Sequence, residues 1–275
     1  MPILIDAATM GLKSSHIIAR NKKALDTSTN NLSTGIRINK AADDVAASSI
    51  STNISAELRS LQQAKRNGEQ ATSFIQAGEG YLQTIQNNII RMRELTLQSA
   101  SDTLGNVERK FLNIEFQRAM EENINIVHSA RFGSLKMLDG SMGTLNFQIG
   151  VFNNSDNVLS LEADKYAVDT DKISCSADIA TKEGAQKCID ELEEALDYIS
   201  SLRSNMGALQ NRLSEIITSM DNEIVSKTAA NSKIKDTDIA QEAVENLKNK
   251  ILLESSTAMM AQGNQSVGKA AMLIG

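Results

Sequence analysis

The sequence predicts a mainly α-helical protein: an elongated helical bundle or coiled-coil rod with one small β-hairpin. Three observations lead there. The chain of 275 residues holds 1 proline, at position 2, so nothing beyond Pro2 removes a backbone donor from a helix. Apolar and small residues recur at alternating steps of four and three along two long stretches, the spacing that keeps one stripe of a helix against a partner. Aromatics are 3% of residues and Trp is absent, which is unusual for a globular enzyme of this size.

Near the N-terminus Ile18, Leu25 and Leu32 recur at heptad spacing. The first long seam then runs Ile50, Ile54, Glu57, Leu61, Ala64, Gly68, Ala71, Ile75, Gly78, Leu82, Ile85, Ile89, Met92, broken only by Glu57. At ~1.5 Å per residue this helix is roughly 65 Å long. The loop Ser99 to Gly105 turns the chain back. A shorter helix follows to about Ala130, with Asn106 as its expected N-cap and Val107, Phe111, Ile114, Met120 and Ile124 as its apolar residues. Asp139-Gly140 marks a turn.

The period next changes to two. Leu145, Phe147 and Ile149 alternate with Asn146 and Gln148, and Leu159 and Leu161 alternate with Ser160 and Glu162, which reads as an antiparallel hairpin over about 143–163. The second long seam runs Ala185, Cys188, Leu192, Ala195, Ile199, Leu202, Met206, Leu209, Leu213, Ile216, Met220. Asp238 with Gln241 resembles a capping box opening a last helix whose apolar residues are Ile239, Ala243, Leu247 and Ile251. The expected organisation is two end segments, 1–44 and 232–275, each with short helical repeats, and a rod domain, 45–231, whose core includes Ile75, Leu82, Ile85, Ile89, Leu202, Leu209 and Leu213.

Charge and motifs narrow the function. A formal net charge of −6 argues against nucleic acid as the main partner. Residues 1–44 carry six basic and four acidic side chains and residues 232–275 five of each, so the acidic excess lies between them. No run approaches the ~18 apolar residues of a membrane span, so membrane insertion is not expected. The start lacks the basic and apolar regions of a secretory leader, which predicts a chain that stays inside or leaves unprocessed. No His-Glu-x-x-His, Walker or Gly-x-Ser-x-Gly motif occurs, and His16 and His128 have no metal-ligand spacing, so neither an enzyme nor a cofactor is expected. Cys188 lies on the second seam as a small hydrophobe and Cys175 in the connector. Whether the two pair is left open by spacing alone.

The segment Leu32-Ser33-Thr34-Gly35-Ile36-Arg37-Ile38-Asn39-Lys40-Ala41-Ala42-Asp43-Asp44 resembles the N-terminal signature of bacterial flagellin. The resemblance continues through Arg66-Asn67, Arg91-Met92-Arg93-Glu94-Leu95, Phe147-Gln148-Ile149-Gly150, Gly207-Ala208-Leu209-Gln210-Asn211-Arg212-Leu213, Ile234-Lys235-Asp236-Thr237-Asp238 and Ala261-Gln262-Gly263-Asn264-Gln265. It departs at Ala47, where the family usually has Gly, and at Gly263, where it usually has Ala. The resemblance implies an exported structural subunit that polymerises into the flagellar filament for swimming motility, and a chain that doubles back so that its N- and C-termini, 1–44 and 232–275, pair as a terminal coiled-coil domain. Because Gly150 to about Ser176 holds little beyond the hairpin and a connector, the variable outer domains of longer flagellins are expected to be missing.

Implied partners are other copies of the chain, a flagellar export chaperone, the filament cap and hook-associated proteins. The implied location is the extracellular flagellum, with a sheath or the periplasm as alternative enclosures. Arg91, Leu95 and Glu115 align with positions contacted by the Toll-like receptor that senses flagellins, and the competing reading makes them contacts between subunits. Polymerisation is expected to run through Ile18, Leu25, Leu32, Ile239, Ala243, Leu247 and Ile251. Heptads alone do not say whether the partner is the same chain or another. The alternatives to a filament subunit are a hook-filament junction adaptor and, from another class, a secreted helical effector.

Overall fold

The computed structural model describes the backbone of residues 2–162 and 165–274 and the side chains of Thr9, 11–162 and 165–266. Among these residues six α-helices carry most of the chain: α1 Pro2–Thr34, α2 Val45–Ala100, α3 Asn106–Ser129, α4 Thr170–Ile173, α5 Lys182–Lys235 and α6 Ile239–Ile274. Two antiparallel hairpins, β1 Arg131–Phe132 with β2 Leu135–Lys136 and β3 Thr144–Gln148 with β4 Val158–Glu162, lie between α3 and α4. The chain forms two compact units, one from residues 1–56 and 226–275, the other from residues 57–225. The division expected at 44 and 232 lies near the breaks between α1 and α2 and between α5 and α6, whereas the packing changes inside α2 and α5.

In the second unit α2 and α5 meet along their seams. Ile75, Leu82, Ile85, Ile89 and Met92 of α2 and Leu192, Ile199, Leu202 and Leu213 of α5 are buried in one cluster, and Leu209 is partly buried against it. Leu61 and Ala64 form a smaller cluster with Met220. The small residues of the seam have a packing reason: a Cβ on Gly78 would lie 3.2 Å from the methyls of Met137 and Met206. Ile50, at the start of the expected seam, is instead exposed. Polar bonds between Lys65 and Asp221 (2.7 Å) and between Gln210 and Glu79 (3.0 Å) flank the apolar contact of the two helices.

Helix α3 corrects the expected face. Val107, Phe111 and Ile114 are exposed, while Arg109, Phe116, Asn123 and Val127 are buried. Two polar side chains point inward because partners await them. The Arg109 guanidinium donates to the carbonyls of Ser99, Ser101 and Leu104, which the end of α2 and the following turn leave without helical donors. Asn123 accepts from Asn88 Nδ2 at 2.9 Å. The helix begins after Gly105, which occupies the N-cap position expected for Asn106, and no side chain caps it.

The expected hairpin is β3–β4, with Leu145 opposite Leu161 and Phe147 opposite Leu159; position 163 at its far edge lies outside the described residues. The β1–β2 hairpin adds to the single one expected. Its loop is Gly133-Ser134, and Gly133 has φ +62°, the left-handed backbone that a two-residue turn needs. Phe132 sets its ring edge-on to Phe74 of α2, 5.6 Å between centroids. Just beyond, Asp139 accepts from Lys136 Nζ (2.9 Å) and from the Ser141 backbone (3.1 Å) and hydroxyl (2.6 Å). Lys136 first, then Ser141, holds its carboxyl well below the usual carboxylate range.

Between β4 and α5 the described chain contains α4 and a connector anchored by buried Val168, Ile173 and Ile179. Cys175 and Cys188, with Cα atoms 5.8 Å apart, are joined in a disulfide, so the cysteine buried on the α5 seam is also a cross-link. No helix among the described residues is long and apolar enough to cross a membrane.

Candidate assembly surfaces

The two motifs that frame the long helices meet in the first unit. Gly35, at φ +69°, ends α1, and its N–H returns to the Asn31 carbonyl at 2.8 Å. The chain then bridges to the end of α5: Arg37 N–H donates to the Lys235 carbonyl (2.7 Å), Thr237 N–H to the Gly35 carbonyl (3.1 Å) and the Arg37 guanidinium to the Ile234 carbonyl (3.0 Å). Asp43 accepts from the Asn39 and Lys40 N–H groups and so closes the loop, while Asp44 caps α2 through the Ala47 N–H at 2.9 Å. Asp238 caps α6 by accepting from Ala240 and Gln241. Both Leu32–Asp44 and Ile234–Asp238 were legible as motifs; that they form one clasp was not, because nothing in either segment names the other.

From this clasp α1 and α6 run as a pair, and the residues facing each other are largely polar. Asn21, Ser28 and Asn31 of α1 are buried. Asn246 Nδ2 donates to Ser28 Oγ (2.8 Å) and Thr29 Oγ1 (2.9 Å), and Asn21 Nδ2 reaches Ser256 Oγ (3.2 Å) and the Leu252 carbonyl (3.4 Å). Buried amides of this kind fix the register of a helix pair while contributing less stability than apolar residues would. Ile18, Leu25 and Leu32 are half-buried beside them.

Several apolar residues of α6 lie open. Ile239, Ala243, Leu247 and Ile251 are all exposed, as are Val244, Leu252 and Met259, with Leu247 at 59% and Ile251 at 55%. The seam of the helix pair thus mixes polar side chains with half-buried leucines, while α6 keeps a row of apolar residues exposed. Isolated exposed apolar residues are ordinary, but a stripe over three turns marks an interaction surface.

A second apolar area lies in the other unit, on the outer sides of α2 and α3. Ile90, Leu97, Val107, Phe111 and Ile114 are exposed there, Phe111 at 67%. Arg91 donates across the two helices to Glu115 at 2.7 Å and along α2 to Glu94 at 3.1 Å, and the hydrogen bond to Glu115 is the leading cause that raises the guanidinium pKa. The third residue grouped with them, Leu95, is 1% exposed and belongs to the core. Arg91 and Glu115 are therefore surface groups, and Leu95 offers no surface to a receptor while the fold is intact.

A pair of terminal helices joined by a clasp, with a helical rod that carries two small hairpins, defines the class of mainly helical subunits. Residues 5–142 match the profile of the bacterial flagellin N-terminal helical region and residues 189–268 that of the bacterial flagellin C-terminal helical region. A flagellin of Halalkalibacterium halodurans is 39% identical over 235 residues, covering 85% of this chain and 86% of that protein. The flagellar filament 33 kDa core protein of Treponema phagedenis is 33% identical over 250 residues, covering 86% and 87%. The chain belongs to the bacterial flagellin family and is a structural subunit of the flagellar filament. Among solved structures, Bacillus cereus flagellin superposes with a TM-score of 0.50 at 23% identity, covering 56% of this chain and 88% of its own. A flagellar hook-associated protein from Vibrio parahaemolyticus reaches 0.58 at 9% identity over 70% and 100%, a likeness of fold alone.

Proposed function

We propose that this flagellin polymerises by burying two surfaces against neighbouring copies: the outward stripe of α6 with the flanking residues of α1, and the apolar area around the Arg91–Glu115 pair. The observation that carries this reading is the exposure of Ile239, Ala243, Leu247 and Ile251 on a helix whose inward side is already committed to polar partners. Removing such side chains from water contributes ~25 cal/mol per Å² of apolar area. Contacts that repeat with a rotation that does not close build a helical tube instead of a ring. In that tube Ile18, Leu25 and Leu32 serve mainly to hold α1 on α6, and α6 supplies the greater share of the surface between subunits. Arg91 and Glu115 fix the register of neighbouring rods, since an exposed ion pair contributes little to stability by itself.

Export through the flagellar apparatus, with an export chaperone shielding the α6 stripe, accounts for a subunit that must stay monomeric inside the cell. The filament cap and hook-associated proteins then present matching terminal helices at the filament's two ends. The filament lies outside the cell body, bare, sheathed or within a periplasm. For the Toll-like receptor that senses flagellins, Arg91 and Glu115 are the groups within reach, and Leu95 acts by holding α2 in place.

Seeding tests the reading. Purified monomer incubated with sheared filament fragments should extend them, and cleavage within 1–44 and 232–275 by a dilute protease should slow at least tenfold once the chain is polymerised. Termini equally resistant in monomer and filament would refute burial of these helices between subunits.

A further inference from the structure

We propose that Cys175 and Cys188 form a redox-set staple, a dithiol while the chain is in a reducing compartment and a disulfide after it has left, that clamps the connector 174–181 onto the head of α5. The proposal rests on the export reading for its timing and on the geometry for its effect. The two Cα atoms lie 5.8 Å apart across 13 residues of sequence, a separation that a disulfide spans without moving the backbone. Both side chains are buried, Cys188 completely, in the second turn of α5.

Residues 174–181 contain no regular structure and are held by the buried Ile179 side chain and a few hydrogen bonds. Ser176 donates to the Glu191 carboxylate from its backbone and its hydroxyl. Ile179 bonds through its carbonyl to Ser99 Oγ and through its N–H to Asn113 Oδ1. Lys182 pairs with Asp102 at 2.7 Å. These contacts join the start of α5 to the turn between α2 and α3, where Arg109 already holds the end of α2. A covalent bond at Cys175 therefore fixes an irregular stretch that touches the end of α2, the side of α3 and the head of α5.

Closure is a two-electron step. Two thiols lose two protons and two electrons to form the S–S bond, and a low-molecular-weight disulfide is reduced to two thiols in exchange. Because Cys188 is sealed from solvent, a reductant reaches the closed bond only when the connector lifts, so reduction of the folded chain is slow and accelerates when the fold is loosened.

The test uses the full chain, purified and then held with reduced or oxidised glutathione. Thiols are counted by a maleimide of high mass, and the connector is probed with trypsin at Lys172 and Lys182. The expected result is two thiols in the reduced sample, none in the oxidised one, and connector cleavage faster by about a hundredfold in the reduced sample at unchanged helix content. Cys175→Ser should be cleaved at the reduced rate under both conditions. Equal cleavage in the two samples, or cross-linking between chains in place of a bond within one, overturns the staple.

In a second arm the chain is trapped by acid and maleimide from cell bodies and from sheared filaments. Free thiols in the cell bodies and none in the filaments support the timing, and the same thiol count in both overturns it. Absence of the chain from filaments refutes export, while the trypsin result still decides the staple.

Discussion

Truncating Leu247 to alanine isolates the contribution of the α6 stripe to assembly. Leu247 is 59% exposed in the single chain, so its side chain contributes little to the monomer, and alanine favours the helix at least as well. Full burial of a leucine side chain stabilises by about 1.5–3 kcal/mol, so the part still outstanding amounts to ~1–2 kcal/mol for each subunit added. Alanine retains only a small share of that. At 1.4 kcal/mol per factor of ten, the critical concentration for seeded polymerisation should rise about tenfold. Polymer is measured by sedimentation across a series of total concentrations, with the helical signal and thermal midpoint of the monomer as controls. Lys250→Ala, also on the exposed surface of α6, should leave the critical concentration within about twofold, because a solvated lysine brings little apolar area to an interface. A Leu247→Ala protein that polymerises at the unaltered critical concentration, with its monomer intact, would refute burial of this side chain between subunits. A monomer destabilised by 2 kcal/mol or more would show that Leu247 packs within its own chain.

Three further outcomes follow from particular contacts. Phe111→Ala should leave the melting temperature nearly unchanged and impair polymerisation, whereas Phe116→Ala, one face round the same helix, should cost about 3–5 kcal/mol of stability in chemical denaturation. Arg109→Ala leaves three carbonyls near the end of α2 without their donor and should cost about 2–4 kcal/mol, with a loss of amide-exchange protection confined to 95–112 as the sign that local capping is what was removed. Asp139→Asn should destabilise the second unit by about 1 kcal/mol at neutral pH. Since the carboxyl is held below its unfolded value, its contribution is complete above the unfolded pKa near 4 and fades as pH falls through the lower folded one, so thermal melts of the two proteins should converge in acid.

Much of this protein was legible before any tertiary structure. The absence of proline after Pro2 and the four-three spacing from Leu61 to Met92 and from Ala185 to Met220 determined two long helices and which of their sides would be buried, because spacing along a regular helix converts directly into direction. The alternation of Leu145 and Phe147 with Asn146 and Gln148, and of Leu159 and Leu161 with Ser160 and Glu162, determined the larger hairpin for the same reason. The motifs at both ends were sufficient to point to flagellin. The smaller hairpin had its signal in Gly133-Ser134 between Arg131-Phe132 and Leu135-Lys136, but strands of two residues are too short for periodicity to reveal.

What only the tertiary structure decided concerns partners. The inward side of α3 carries Arg109 and Asn123 because bare carbonyls and an amide lie opposite, and hydrophobicity alone selects the wrong side, with Val107, Phe111 and Ile114. Leu95 counts as a surface residue by alignment and as a core residue by burial. The outward stripe of α6 acquires its meaning from Asn21, Ser28 and Asn246, which occupy the space between the terminal helices and leave the apolar side without cover in a single chain. A pattern within one segment states which residues share a side; in α3 and α6, unlike α2 and α5, which side turns inward depended on the groups that another segment, distant along the chain, brings to meet it.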